Sequence, residues 1–224
     1  FSSASLFNQP LNFDTSSLTT MRWMFFQAGA FNQALNWDTS HVNTMEYAFY
    51  QAASLNESLL FNTSSVTTMY GMFSGAELFN QPLDFDTSRV TSMSEMFFEA
   101  AAWNQPINFD TSSVESMDSM FHRATSFNQP LTLDTSSVTG MGYMFSEAVA
   151  FNQPLTFSDT SSVLRMDYMF QGAESFNLPL DFDTSSVTTM EHMFDGAIAF
   201  SQSLDFNTSN VLSMQNMFFE AFSF

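Results

Sequence analysis

A 24-residue period governs this chain from end to end. Its units begin at Phe7, Phe31, Leu55, Phe79, Trp103, Phe127, Phe151, Phe176 and Phe200. Every step is 24 residues except the one from Phe151 to Phe176, which is 25. The extra residue falls in Phe157-Ser158-Asp159-Thr160, which points to a turn there. A fixed period of this length excludes an ordinary globular domain and requires stacked units, none of which can bury its apolar face alone. Phe1 to Leu6 read as the last six positions of a preceding unit, and Phe224 as the first of a following one. The expectation is a single uncapped solenoid segment, residues 1–224, of a longer array.

Two hydrophobic periods alternate inside each unit. Counting from the first residue, positions 5 and 7 are apolar around a polar residue, as in Leu83-Asp84-Phe85, which is strand periodicity. Positions 12, 15, 18, 19 and 22, as in Val90, Met93, Met96, Phe97 and Ala100, fit one stripe of an amphipathic helix. Asp-Thr-Ser-Ser between them supplies side-chain acceptors for a helix N-terminus. Gly75, Gly172 and Gly196 fall where a helix would end in left-handed geometry. The expected fold is a repeat solenoid of about nine coils. Each coil is a short parallel strand plus a capped short helix, stacked around a Phe/Met/Leu core. At strand spacing nine coils extend about 45 Å.

Composition narrows the partners. There are 23 Asp plus Glu against 4 Arg and no Lys, a net charge of −19. That balance argues against nucleic acid and anionic lipid, both of which require basic patches. Cysteine is absent, so there is neither a disulfide framework nor a thiolate zinc site. No apolar run reaches the length of a membrane span, so no membrane insertion is expected in this segment.

The columns Val-x-x-Met-x-x-Met-Phe-x-x-Ala-x-x-Phe-Asn-Gln-Pro-Leu-x-Phe-Asp-Thr-Ser resemble the BspA-like surface protein repeats, or DUF285 family, along the whole chain. They are similar in turn to Treponema-type leucine-rich repeats. Met96-Phe97 stands for the Ala-Phe pair of that pattern and Ala100 for its Cys, with Trp103, Ile107 and Phe109 as strand apolars. The resemblance implies a leucine-rich-repeat-like solenoid, secreted or on a cell surface, with structural or adhesive roles and no catalytic residues.

Candidate residues follow by column. Met-x-x-Met is a copper(I) spacing as well as a core pattern; its place on the apolar stripe favours core. The Asn and Gln columns at positions 2 and 3 read as amide ladders between coils. The Asp column at position 8 reads as helix capping, with calcium as the sharper alternative where a second carboxylate is near: Asp84 with Asp86, and Asp181 and Asp183 with Asp205. Asn56, Asn62 and Asn207 begin glycosylation sequons. His41, His122 and His192 sit in different columns, which gives no catalytic constellation, and no enzyme is expected. Trp23, Phe26, Tyr47, Tyr50 and Phe98 occupy variable outward columns and are the candidates for partner binding.

These readings converge on an extracellular structural or adhesive module, a building block of a surface filament or coat, associating with itself or with other surface proteins or glycans. A receptor-like module for protein or glycan is the alternative, and a calcium-stabilised adhesin a remoter one.

Overall fold

The computed structural model describes residues 1–224, and its coils follow the sequence period. Parallel single-residue bridges join position 14 of each coil to the next, Thr20 to Thr44 and onward through Thr189 to Ser213. A continuous core of 58 buried residues runs through the stack. In the seven inner coils positions 12, 15, 18, 19 and 22 are fully buried as expected, Met93, Met96, Phe97 and Ala100 among them, whereas positions 5 and 7 are only partly buried at Leu83, Leu155 and Phe157. The position-19 rings form an unbroken column from Phe25 to Phe218, with neighbouring centroids 5.3 to 5.8 Å apart. Central rings also stack on the first residue of the following unit where that residue is aromatic, Phe121 on Phe127 at 4.2 Å and Phe97 on Trp103 at 4.1 Å; after Phe49 that residue is Leu55.

The expected helices are not there. Positions 15–22 instead make two consecutive four-residue turns. In the first coil the Met24 N–H donates to the Met21 carbonyl and the Ala28 N–H to the Phe25 carbonyl. The third residue of each turn has positive φ in all nine coils, as at Trp23 (56°) and Gln27 (58°). Positive φ at that position alone is the type II pattern. The alternate amides point along the stack. Met21, Trp23, Phe25 and Gln27 donate to the carbonyls of Thr44, Glu46, Ala48 and Tyr50 in the next coil. Each coil therefore pairs with its neighbour as a strand does, through a path bent at every fourth residue.

Spacing explains the outcome. Packed helices need interaxial distances of about 8–10 Å. The Phe column beside the turns repeats at 5.3 to 5.8 Å, close to strand spacing. A helix over positions 12 to 22 would also leave its first four amides without internal partners, whereas in the doubled turn the amides at positions 15, 17, 19 and 21 donate to the adjacent coil and those at 18 and 22 close the turns. At position 7 the rings of Phe157 and Phe182 also stack, 5.3 Å apart.

The strands are a second correction. Only β1 (Leu131–Leu133) and β2 (Leu155–Phe157) form a ladder, parallel, with Leu131 opposite Leu155. The extra residue follows β2 directly, at a bend on Ser158 whose N–H donates to the Leu133 carbonyl.

The Thr and Asn columns tie coils together rather than capping a helix. Buried Thr87 donates its hydroxyl to the Asp110 carbonyl of the next coil at 2.8 Å, and Thr111 does the same to Asp134. The Asn column is a ladder of a mixed kind: Asn80 Oδ1 accepts from the Asn104 backbone N–H at 2.9 Å and from Gln105 Nε2 at 3.2 Å.

Left-handed backbone at a non-glycine residue costs about 1 kcal/mol or more. Ser119, with φ 58° and no side-chain hydrogen bond, isolates that cost. Ser119→Gly is expected to raise stability by about 1 kcal/mol, read as a higher urea midpoint; in a helix the same change would lower it by a similar amount.

Candidate functional site

Once the repeat has assigned its columns to core and ladder, the outward residues of the turns remain free to vary. They occupy positions 16, 17, 20 and 21. Across the first four coils the pair at positions 17 and 20 runs Trp23 and Phe26, Tyr47 and Tyr50, Gly71 and Ser74, Glu95 and Phe98. The third coil drops to small residues while its neighbours carry rings. The result is a concavity of about 570 Å³, open to solvent. Trp23, Phe26, Tyr47, Tyr50 and Phe98 line it together with Glu95, Ser74 and Ser2. The structure thus brings all five aromatic candidates to one place.

Planar stacking sets the walls. Phe26 lies on Tyr50 with centroids 4.6 Å apart, and Phe98 lies on His122 at 4.9 Å. Burial pushes the His122 imidazole below its ordinary range, so the ring continues the stack as a neutral one. Gly71 has φ 57°, and a Cβ there would stand 2.3 Å from Cε1 of Tyr47. Its bare backbone lets the Tyr47 ring lie across the third coil and reach two coils onward. The Tyr47 hydroxyl donates to Glu95 Oε2 at 3.2 Å and that of Tyr70 to Glu95 Oε1 at 2.8 Å. Burial is the main cause pushing both phenols above the usual tyrosine range, and Glu95 adds to it. Both therefore stay protonated as donors, and they hold the carboxylate in one orientation.

Glu95 receives no cation from the chain. Arg22 pairs with Glu46 at 2.9 Å, Arg123 with Glu99 and Glu147 at 2.9 Å each, and Arg165 with Asp167 at 2.9 Å. His192 pairs with Asp195 at 2.7 Å.

Column reading found the rings and missed Glu95, Ser74 and the part played by Gly71. The available signal was the third coil, where Gly71, Ser74 and Gly75 replace bulky residues in three outward columns at once.

The proposed calcium ligands are not gathered. Asp84, Asp86, Asp181, Asp183 and Asp205 are all exposed, and no group of three or more acidic or histidine side chains is placed to hold a metal ion. Asp84 lines a separate concavity of about 530 Å³ beside Leu60 and Asn108. The Asp column closes turns of its own: Asp86 Oδ1 accepts from the Ser88 hydroxyl at 2.7 Å and the Ser88 N–H at 3.1 Å. Asn62 accepts the same pair from Ser64, at 2.7 and 3.1 Å. An uncharged residue thus does the same work, which accounts for the column without a cation. The sequon residues are also exposed; Asn56 Oδ1 accepts from the Asn80 N–H at 2.9 Å, and Asn207 Oδ1 from the Ser209 N–H at 3.1 Å.

These bonds carry a pH signature. Those from Ser88, the hydroxyl first, hold the Asp86 carboxyl below its ordinary value, and the same holds at Asp14, Asp38, Asp110, Asp134 and Asp183 with their own serines. A depressed folded-state value means the contribution is present above the unfolded carboxyl range near 3.9 and is lost as pH falls through the folded value. Asp86→Asn is expected to leave the neutral-pH melting temperature nearly unchanged and to make its fall below pH 4 shallower, read by thermal melts from about pH 5 to 2.5.

Comparison with known proteins yields one match. A family model described as "Mycoplasma protein of unknown function, DUF285" matches residues 1–84, 59–156, 108–182 and 131–224, which together span the chain. No curated protein and no solved structure matches.

Proposed function

The chain belongs to the DUF285 family, and on that premise we propose that it is an extracellular structural or adhesive module, a leucine-rich-repeat-like solenoid serving as a building block of a surface filament or coat. The observation that carries this reading is where variation is allowed. The core, the Thr and Asn columns and the axial amide ladder are nearly the same in every coil, while the outward turn residues differ from coil to coil. Such a stack is a rigid spacer with a variable face. The resemblance to surface repeats supports an extracellular setting.

A receptor-like module is the second reading, and the aromatic concavity favours it. A patch of rings interrupted by small residues differs from a uniform packing face, and exposed apolar patches mark interfaces.

Surface labelling of intact source cells with an antibody to this segment tests the proposal. Labelling before permeabilisation, abolished by protease shaving, is the expected result. Labelling only after lysis would overturn it.

A further inference from the structure

We propose that the concavity at Trp23, Tyr50, Glu95 and Phe98 receives an arginine side chain presented by a partner protein. Its lining joins the two features that recognise a guanidinium. The first is a cluster of aromatic side chains; a planar cation stacks on such rings and is attracted by their quadrupole. The second is a carboxylate that two tyrosine hydroxyls hold in place and that no cation of the chain neutralises. A half-buried anion among rings favours a cationic occupant over a neutral one and disfavours an anion.

The molecule already contains the same contact in miniature. The Arg22 guanidinium sits 4.5 Å from the centroid of the Trp23 ring while bonding Glu46 Oε1 at 2.9 Å. Trp23 thus already carries an internal guanidinium, and the concavity offers the Tyr50 and Phe98 rings and Glu95 to one supplied from outside. Its volume of about 570 Å³ admits a guanidinium with its methylene stem. The wider field points the same way: with a net charge of −19 and no Lys, the array draws basic partners and repels acidic ones. An inorganic cation is the poorer fit, because Glu95 is the single carboxylate in the lining.

The inference rests on the adhesive reading only in that another protein presents the arginine. Failure of surface labelling would leave it standing, and failure to bind arginine would leave the structural reading standing.

The test titrates the blocked peptide acetyl-Gly-Arg-Gly-amide, and its citrulline analogue, into the full chain while following the Trp23 indole N–H by NMR. The expected result is a saturable shift with the arginine peptide and at least ten-fold weaker binding of the citrulline one. Glu95→Gln and Phe98→Ser are expected to weaken arginine binding at least five-fold. Serine already stands at the position of Phe98 in two other coils, at Ser74 and Ser146, so the second variant keeps the fold. Glu174→Gln, at an exposed carboxylate elsewhere, is expected to change nothing. Equal binding of the citrulline peptide, or unchanged binding by both concavity variants, would overturn the proposal. So would saturable binding of a neutral oligosaccharide at Trp23 with none of the arginine peptide.

Discussion

Phe121→Ala is expected to destabilise the array by about 4 kcal/mol. Phe121 is fully buried and lies in the middle of the position-19 column. It stacks on Phe97 at 5.7 Å, on Phe145 at 5.6 Å and on Phe127 at 4.2 Å. Truncation loses the transfer free energy of the ring and leaves a cavity whose walls are themselves rings fixed by neighbouring coils. Aromatic stacking adds about 1 kcal/mol for a contact of this kind. A stack of units is held by nearest-neighbour interfaces, so a central defect weakens two of them. Phe218→Ala, in the last coil and only half-buried, is expected to cost less than half as much. Urea unfolding of the two variants measures both. Equal losses, or a loss below about 1 kcal/mol at Phe121, would show that the rings do not form a coupled column.

Gly196→Pro is the second large effect, with an expected loss of at least about 3 kcal/mol. Gly196 is the third residue of the second turn in its coil and has φ 68°. Proline fixes φ near −65°. The Gly196 N–H donates to the Phe219 carbonyl at 2.7 Å, and proline has no such donor. Crowding is not the reason: a Cβ there would meet the Gly172 backbone only at 3.7 Å. The loss is therefore one of backbone geometry and of one axial hydrogen bond. Gly196→Ala, which keeps the N–H, is expected to lose about 1 kcal/mol.

The column pattern made the core legible in the sequence, down to individual Phe, Met and Ala residues, because a buried column repeats the same environment in every coil. It did not make the backbone legible, and the reason is geometric. An amphipathic helix buries residues i, i+3, i+4 and i+7. Two consecutive four-residue turns bury their corners, which are the same four positions: Met93, Met96, Phe97 and Ala100. Hydrophobic spacing cannot separate the two. Two glycines four apart in one coil, Gly71 and Gly75, were the residues that spoke against a helix, since each weakens a helix interior and suits positive φ. Most coils carry other residues at these positions, Trp23 and Glu95 among them, held in left-handed geometry by the surrounding bonds. Strand periodicity overstates the strands for a related reason: only two three-residue strands form. Leu-x-Phe alternation places two side chains inward, but the main axial pairing runs through the turns.

The candidate site was legible as a list of exposed rings and not as a site. Its shape depends on what is missing in the third coil, and its chemistry depends on Tyr47 reaching across Gly71 to a carboxylate 48 residues away. Neither relation has a signature within one unit. Both appear only when the outward columns are compared between coils.

Proline at two positions of one coil tests the doubled turn most directly. Glu191 is the second residue of the first turn in the coil that holds Gly196, a position that favours proline. Its N–H makes only a long contact to Thr189 Oγ1 at 3.4 Å, and its carbonyl still accepts from Tyr168. Urea unfolding of Glu191→Pro is expected to show stability within about 1 kcal/mol of the parent chain. Beside it, Gly196→Pro should lose at least about 3 kcal/mol. If Glu191→Pro also lost about 3 kcal/mol or more, as proline in a helix interior does, the segment would be a helix and the turn-based stack would be contradicted.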